Sequence, residues 1–140
     1  MKQSLTNKLK QMEIDLQKLR KVNVSTVQDL EPFEKYHLVE RLIEKIVDTA
    51  VGINQMILRE KFNATIKTAK ESFTDLATNG VLNMEFATEI SRSVGLRNKI
   101  IHEYDQVTTV TLFQAIDICL QQYTEYHKAT IIWIDNNYTD

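Results

Sequence analysis

One cysteine, one proline and three glycines are all that this chain has of the residues that staple, kink or loosen a backbone. The lone Cys119 rules out an intrachain disulfide. Its setting in Ile116-Asp117-Ile118-Cys119-Leu120 marks it as a small buried apolar residue rather than a nucleophile. So few turn formers argue against many short strands and in favour of long helices. No apolar run is long enough to span a membrane, and Met1-Lys2-Gln3-Ser4-Leu5-Thr6-Asn7 lacks the apolar core of a signal peptide. A cytoplasmic location is the expectation. An excess of positive charge is missing too. The formal net charge is −2, so binding to RNA or DNA would need a local basic cleft, a second copy of the chain or a partner. There is no HExxH, no paired Cys-x-x-Cys, no phosphate-cradling glycine loop and no cluster of paired aspartates, so neither a metal nor a cofactor is expected.

What remains is helical material. The 140 residues are 43% hydrophobic and 26% charged, enough for one globular domain over residues 1–140 with a real core. Leu5, Leu9, Met12, Leu16 and Leu19 lie on one face of a first helix capped by Ser4 and running to about Lys21. A connection follows, and Pro32 fits the first turn of a second helix reaching about Lys61. Its stripe is Val39, Ile43, Ile46, Ala50, Ile53 and Ile57, widened by Leu38, Leu42 and Met56, with Glu40, Arg41, Glu44 and Asp48 as a solvated or interface edge. Gly52 in mid-helix suggests close approach of a neighbour. A third helix is expected over Thr65 to Thr78, with Ile66, Ala69, Phe73, Leu76 and Ala77 inward, stopped by Asn79-Gly80. A short fourth helix, capped by Asn83, runs from Met84 to Val94 and ends at Gly95. A fifth short helix follows, and a long last one is capped by Thr108 or Thr109 and ends near Asp135. Its inner residues are Leu112, Ile116, Cys119, Tyr123, Tyr126 and Thr130. The fold class is all-α, a bundle with one short helix set apart by its content.

That helix carries Gly95-Leu96-Arg97-Asn98-Lys99-Ile100-Ile101-His102-Glu103-Tyr104, which gathers a fixed cation, an amide, an imidazole and a phenol. The chemistry suited to the set is metal-free cleavage of RNA. A base takes the proton of the ribose 2′-OH, and an acid protonates the leaving 5′-oxygen. Imidazole, with an unperturbed pKa near 6.5, serves either role. Arg97 would hold the phosphate and stabilise developing charge, and Asn98 could donate to the same oxygens. On a straight helix Arg97 and His102 stand about 140° apart. Either the arginine reaches round, or the two groups meet across a dimer axis. The second reading is favoured because it brings two histidines to one cleft. His37 and His127, on long helices, are read as structural.

The same ten residues resemble the signature of the HepT-type HEPN toxins, in which Arg is followed after four residues by His and, after one more, by Tyr. Glu71-Ser72-Phe73-Thr74-Asp75-Leu76 with Asn79-Gly80-Val81-Leu82 is similar to the family's segment before the motif. Val39-Glu40-Arg41-Leu42-Ile43-Glu44 with Asp48 is similar to its second helix. Gly52 departs from the pattern, since members often carry a histidine there. The resemblance implies a HEPN-type helical bundle acting as a homodimer whose two motifs form one RNase cleft without a metal. Arg97, Asn98 and His102 would be its working residues. It further implies an MNT-type nucleotidyltransferase antitoxin that transfers AMP to the motif tyrosine, here Tyr104. The competing reading is a non-catalytic HEPN-like subunit that binds nucleotide for such a transferase.

Overall fold

The computed structural model describes residues 1–65, 67–102 and 107–139. Among the described residues six α-helices follow one another: α1 (Lys2–Lys21), α2 (Phe33–Phe62), α3 (Ala69–Thr78), α4 (Met84–Ser91), α5 (Ser93–His102) and α6 (Thr109–Asn137), with a 3-10 turn over Val27–Leu30. No strand occurs among the described residues, and none of their helices is long and apolar enough to cross a membrane. The chain is all-α.

α2 is the central rod. α1 and α6 pack against it and against each other, while α3 and α5 also lie on it. The apolar stripes expected for α1, α2 and α6 are buried almost without exception, from Leu5 through Ile57 to Ile134. Leu38 departs from this and stands 47% exposed.

Several boundaries differ from the sequence expectation, each for a local reason. α1 begins at Lys2 rather than after Ser4, with Met1 at its cap position. Pro32 sits at the cap of α2 with an extended ψ, and the helix proper starts at Phe33. α2 ends where Asn63 takes a left-handed φ of 46° and the Ala64 N–H closes back onto the Leu58 carbonyl. α3 starts at Ala69, later than expected, because Thr68 caps it: its hydroxyl oxygen accepts from the Glu71 N–H at 3.1 Å. Ile66, expected on its inner side, lies outside the described residues. Gly80, at φ 82°, ends α3 as its sequence implied. The short fourth helix stops at Ser91, not Gly95. The turn at Arg92 is bridged by tight bonds from Arg92 N–H to Glu89 and from Gly95 N–H to Arg92. Ser91 and Ser93 place their hydroxyls on the Thr88 and Ile90 carbonyls there, competing for acceptors that a continuous helix would use. Gly52 does not mark a close approach. A Cβ added there would meet no heavy atom within 4 Å.

The core contains a polar relay that the apolar pattern did not announce. Tyr126 on α6 donates to Asn54 Oδ1 on α2 at 2.6 Å, Asn54 Nδ2 donates to Ser72 Oγ on α3 at 3.0 Å, and Ser72 donates to the Ala69 carbonyl. All three residues are buried, so each link avoids the penalty of an unpaired polar group. Asn54→Ala should therefore cost about 1–3 kcal/mol of stability. Urea unfolding followed by circular dichroism measures it, and an unchanged midpoint would show the relay to be neutral.

Candidate functional site

α5 is a short helix with two faces. Val94, Arg97 and Ile100, spaced by three, point inward, whereas Asn98, Lys99 and His102 are exposed. Helical geometry thus separates Arg97 from His102 within one chain, as their spacing requires. The ion-pair partner of Arg97 is Asp48 of α2, whose Oδ1 lies 3.3 Å from Arg97 Nη1. The arginine side chain is 18% exposed and the aspartate 46%. Arg97 Nε is buried and has no hydrogen-bond partner among the described residues.

One turn before Arg97, Ser93 fixes the other end of the helix. Its hydroxyl lies 2.6 Å from the Ile90 carbonyl and 2.6 Å from the phenol oxygen of Tyr123 on α6. Ser93 has one proton, and the carbonyl can only accept. Ser93 therefore donates to Ile90, and Tyr123 donates to Ser93. Tyr123 is fully buried, and that burial holds its phenol well above the usual tyrosine range despite the Ser93 bond and the nearby Arg97 charge. It stays a neutral donor. Two contacts tie this stretch to α2. Arg97 meets Asp48, and Val107, beyond the end of α5, accepts a 2.6 Å hydrogen bond from Tyr36. The two contacts thus meet α2 in reverse order, Arg97 at Asp48 and Val107 at Tyr36.

Tyr104 lies outside the described residues. On α2, Glu40 was expected on a solvated or interface edge and is not solvated. Its side chain is 8% exposed, and it receives His37 Nδ1 at 2.8 Å. Burial raises the Glu40 carboxyl above its usual range, and His37 opposes that shift. His127 lies 3.1 Å through Nε2 from the Leu9 carbonyl, a structural contact between α6 and α1.

A groove of about 490 Å³ opens between α4–α5 and α6, with Phe86, Leu96 and Ile118 on its walls, Ser93 at its edge and Cys119 lining its floor. Burial pushes the Cys119 thiol up to about 12. It is neutral at ordinary pH and no nucleophile.

The residues missed in the sequence are Asp48 as a partner of Arg97, and Ser93 and Tyr123 as anchors of α5. Tyr123 read as one more core position in the α6 stripe. A serine two residues before the motif glycine carries no signal of its own.

Comparison with known proteins bears on what this arrangement is for. Residues 12–130 match the family described as Ribonuclease HepT-like. A "tRNA nuclease HepT" of Aphanizomenon flos-aquae is 38% identical over 104 residues, 74% of this chain and 71% of that protein. An "mRNA nuclease HepT" of Shewanella oneidensis is 24% identical over 88 residues, 63% of each chain. Among solved structures, the tri-AMPylated Shewanella oneidensis HEPN toxin in complex with MNT antitoxin superposes with a TM-score of 0.82 at 18% identity, covering 89% of this chain and 94% of that one. At that identity the likeness concerns the fold.

Proposed function

Because this chain belongs to the HepT-like ribonuclease family, we propose that it is the toxin of a HEPN/MNT toxin–antitoxin pair, a metal-independent endoribonuclease of the cytoplasm working as a homodimer. The observation that carries the reading is the division of α5: Arg97 on the inward face, mostly packed and paired with Asp48, with His102 exposed on another side of the same helix. One chain offers a phosphate-binding cation and an imidazole that do not face each other. Two copies facing across an axis supply both to one cleft.

In that cleft one His102 takes the proton of a ribose 2′-OH. The O2′–P bond forms as the P–O5′ bond breaks, and His102 of the second copy gives its proton to the departing 5′-oxygen. Arg97 offsets the negative charge growing on the non-bridging oxygens, with Asn98 as an added donor. DNA, lacking the 2′-OH, is not cut. The antitoxin silences the toxin by AMP transfer to Tyr104, a reading supported by the AMPylated state of the structurally similar Shewanella oneidensis toxin. Each AMP brings bulk and a negative phosphodiester beside the motif.

Incubating the purified protein with RNA in excess EDTA tests the core of this. Fragments with 2′,3′-cyclic phosphate and 5′-hydroxyl ends are expected. Intact RNA together with stoichiometric nucleotide binding would replace the nuclease with a non-catalytic nucleotide-binding subunit, a reading that the net charge of −2 allows.

A further inference from the structure

We infer that Asp48 is the positioning residue of the site, the group that holds Arg97 in the orientation a phosphate requires; this rests on the ribonuclease reading of α5. An arginine side chain carries about 2 kcal/mol of rotamer entropy, and a guanidinium left to itself is not aimed at anything. Here most of the side chain is packed away, with 18% exposed, and Nε is buried without a partner among the described residues. Asp48 is the ion-pair partner of the guanidinium among the described residues.

Asp48 is well suited to serve as an anchor. It sits within the 30-residue α2 next to Val47, which is 0% exposed, and one turn before the buried Val51. Its backbone therefore cannot shift without disturbing the core, and its side chain is short. On the other side of the pair, the Tyr123–Ser93–Ile90 relay fixes the start of α5 one turn before Arg97. The helix is pinned at Ser93, and the head of Arg97 is pinned at Nη1. A guanidinium has five N–H donors, so a carboxylate that engages Nη1 does not use up its capacity to donate to a phosphate oxygen.

The opposite role for the same contact is a parked arginine, neutralised until RNA displaces the carboxylate. The two roles differ in sign. Asp48 is 46% exposed, so solvent weakens both its repulsion of a phosphate and its attraction for Arg97. Arg97, however, lies in contact with it and is itself mostly packed away, whereas a phosphate would stand farther off. Positioning therefore outweighs competition.

Steady-state cleavage of one defined RNA by wild type, Asp48→Ala, Asp48→Asn and Asp48→Glu separates these. Asp48→Ala is expected to lower kcat by up to roughly 10²-fold, the scale of a misplaced catalytic group. KM should change little, because the lost interaction matters in the transition state. Asp48→Asn, which keeps the shape and one acceptor, falls between, and Asp48→Glu restores part of the rate. Circular dichroism confirms that each variant is folded. A kcat that is unchanged, or raised as a parked arginine requires, overturns the inference while leaving the nuclease reading intact. A loss confined to KM also overturns it. A folded wild-type protein that cuts no RNA overturns both.

Discussion

Purified His102→Ala and Arg97→Ala proteins should each lose RNA cleavage while remaining folded. Removing the imidazole takes away both the base and the acid of the proposed reaction, since each copy supplies one, and general acid–base catalysis is worth roughly 10²–10⁴-fold. Removing the guanidinium takes away charge stabilisation, for which loss of a single preorganised donor costs about 10²–10³-fold. His102 is exposed at the end of α5, so its truncation removes no core packing. Arg97→Ala leaves Asp48 unpaired, but Asp48 is 46% exposed and solvent takes over. Arg97→Lys should not rescue the rate. An ammonium is a compact point charge on a flexible stem and cannot keep one edge on Asp48 while offering another to phosphate. The measurement is cleavage of a labelled RNA beside a thermal melt of each variant. Cleavage that persisted in both folded variants would sink the assignment of this helix as the catalytic element.

Co-expression with an MNT-type nucleotidyltransferase should increase the mass of the chain by one or more AMP units and silence it. The increment should vanish in Tyr104→Phe. Tyr104 follows His102 by two residues, so a nucleotide attached there enters the neighbourhood where RNA must bind. Each added phosphodiester carries a negative charge that repels the RNA backbone and competes for Arg97. Tyr104→Phe keeps the ring and removes the attachment oxygen, so this variant should still cleave RNA and escape the antitoxin. Intact-mass spectrometry and growth on co-expression read the two halves separately. Neutralisation with no change in mass would show inhibition by binding rather than by covalent transfer.

What could be read from the sequence was whatever repeats locally. Spacings of four and three placed Leu5 to Leu19, Val39 to Ile57 and Leu112 to Ile134 on inward faces, and with them three of the six helices. The motif also stood out on its own, because Arg97, Asn98 and His102 lie within six residues. Boundaries set by competing hydrogen bonds were harder. The stop at Ser91 depends on serine hydroxyls that reach specific carbonyls, and a glycine was the more obvious breaker. Pairings between helices left no trace at all. Asp48 looked like one charge among several on α2, and Glu40, beside it in that edge, turned out to be buried against His37. Asn54 and Ser72 carried no reading of their own, and their bond within the core emerges only from the packing of α2 on α3. Periodicity says which way a side chain points, not what it meets.

The break at Arg92 has a consequence for when the protein becomes dangerous. α5 is ten residues long and does not continue from α4, and isolated helices shorter than roughly 12–15 residues are marginal in water. Its shape is borrowed from α2, synthesised earlier, and from Tyr123 of α6, synthesised later. A ribosome that has just extruded the motif has made the residues of a nuclease but not their arrangement. The arrangement is completed only after α6 has emerged, so the motif exists as sequence before it exists as geometry.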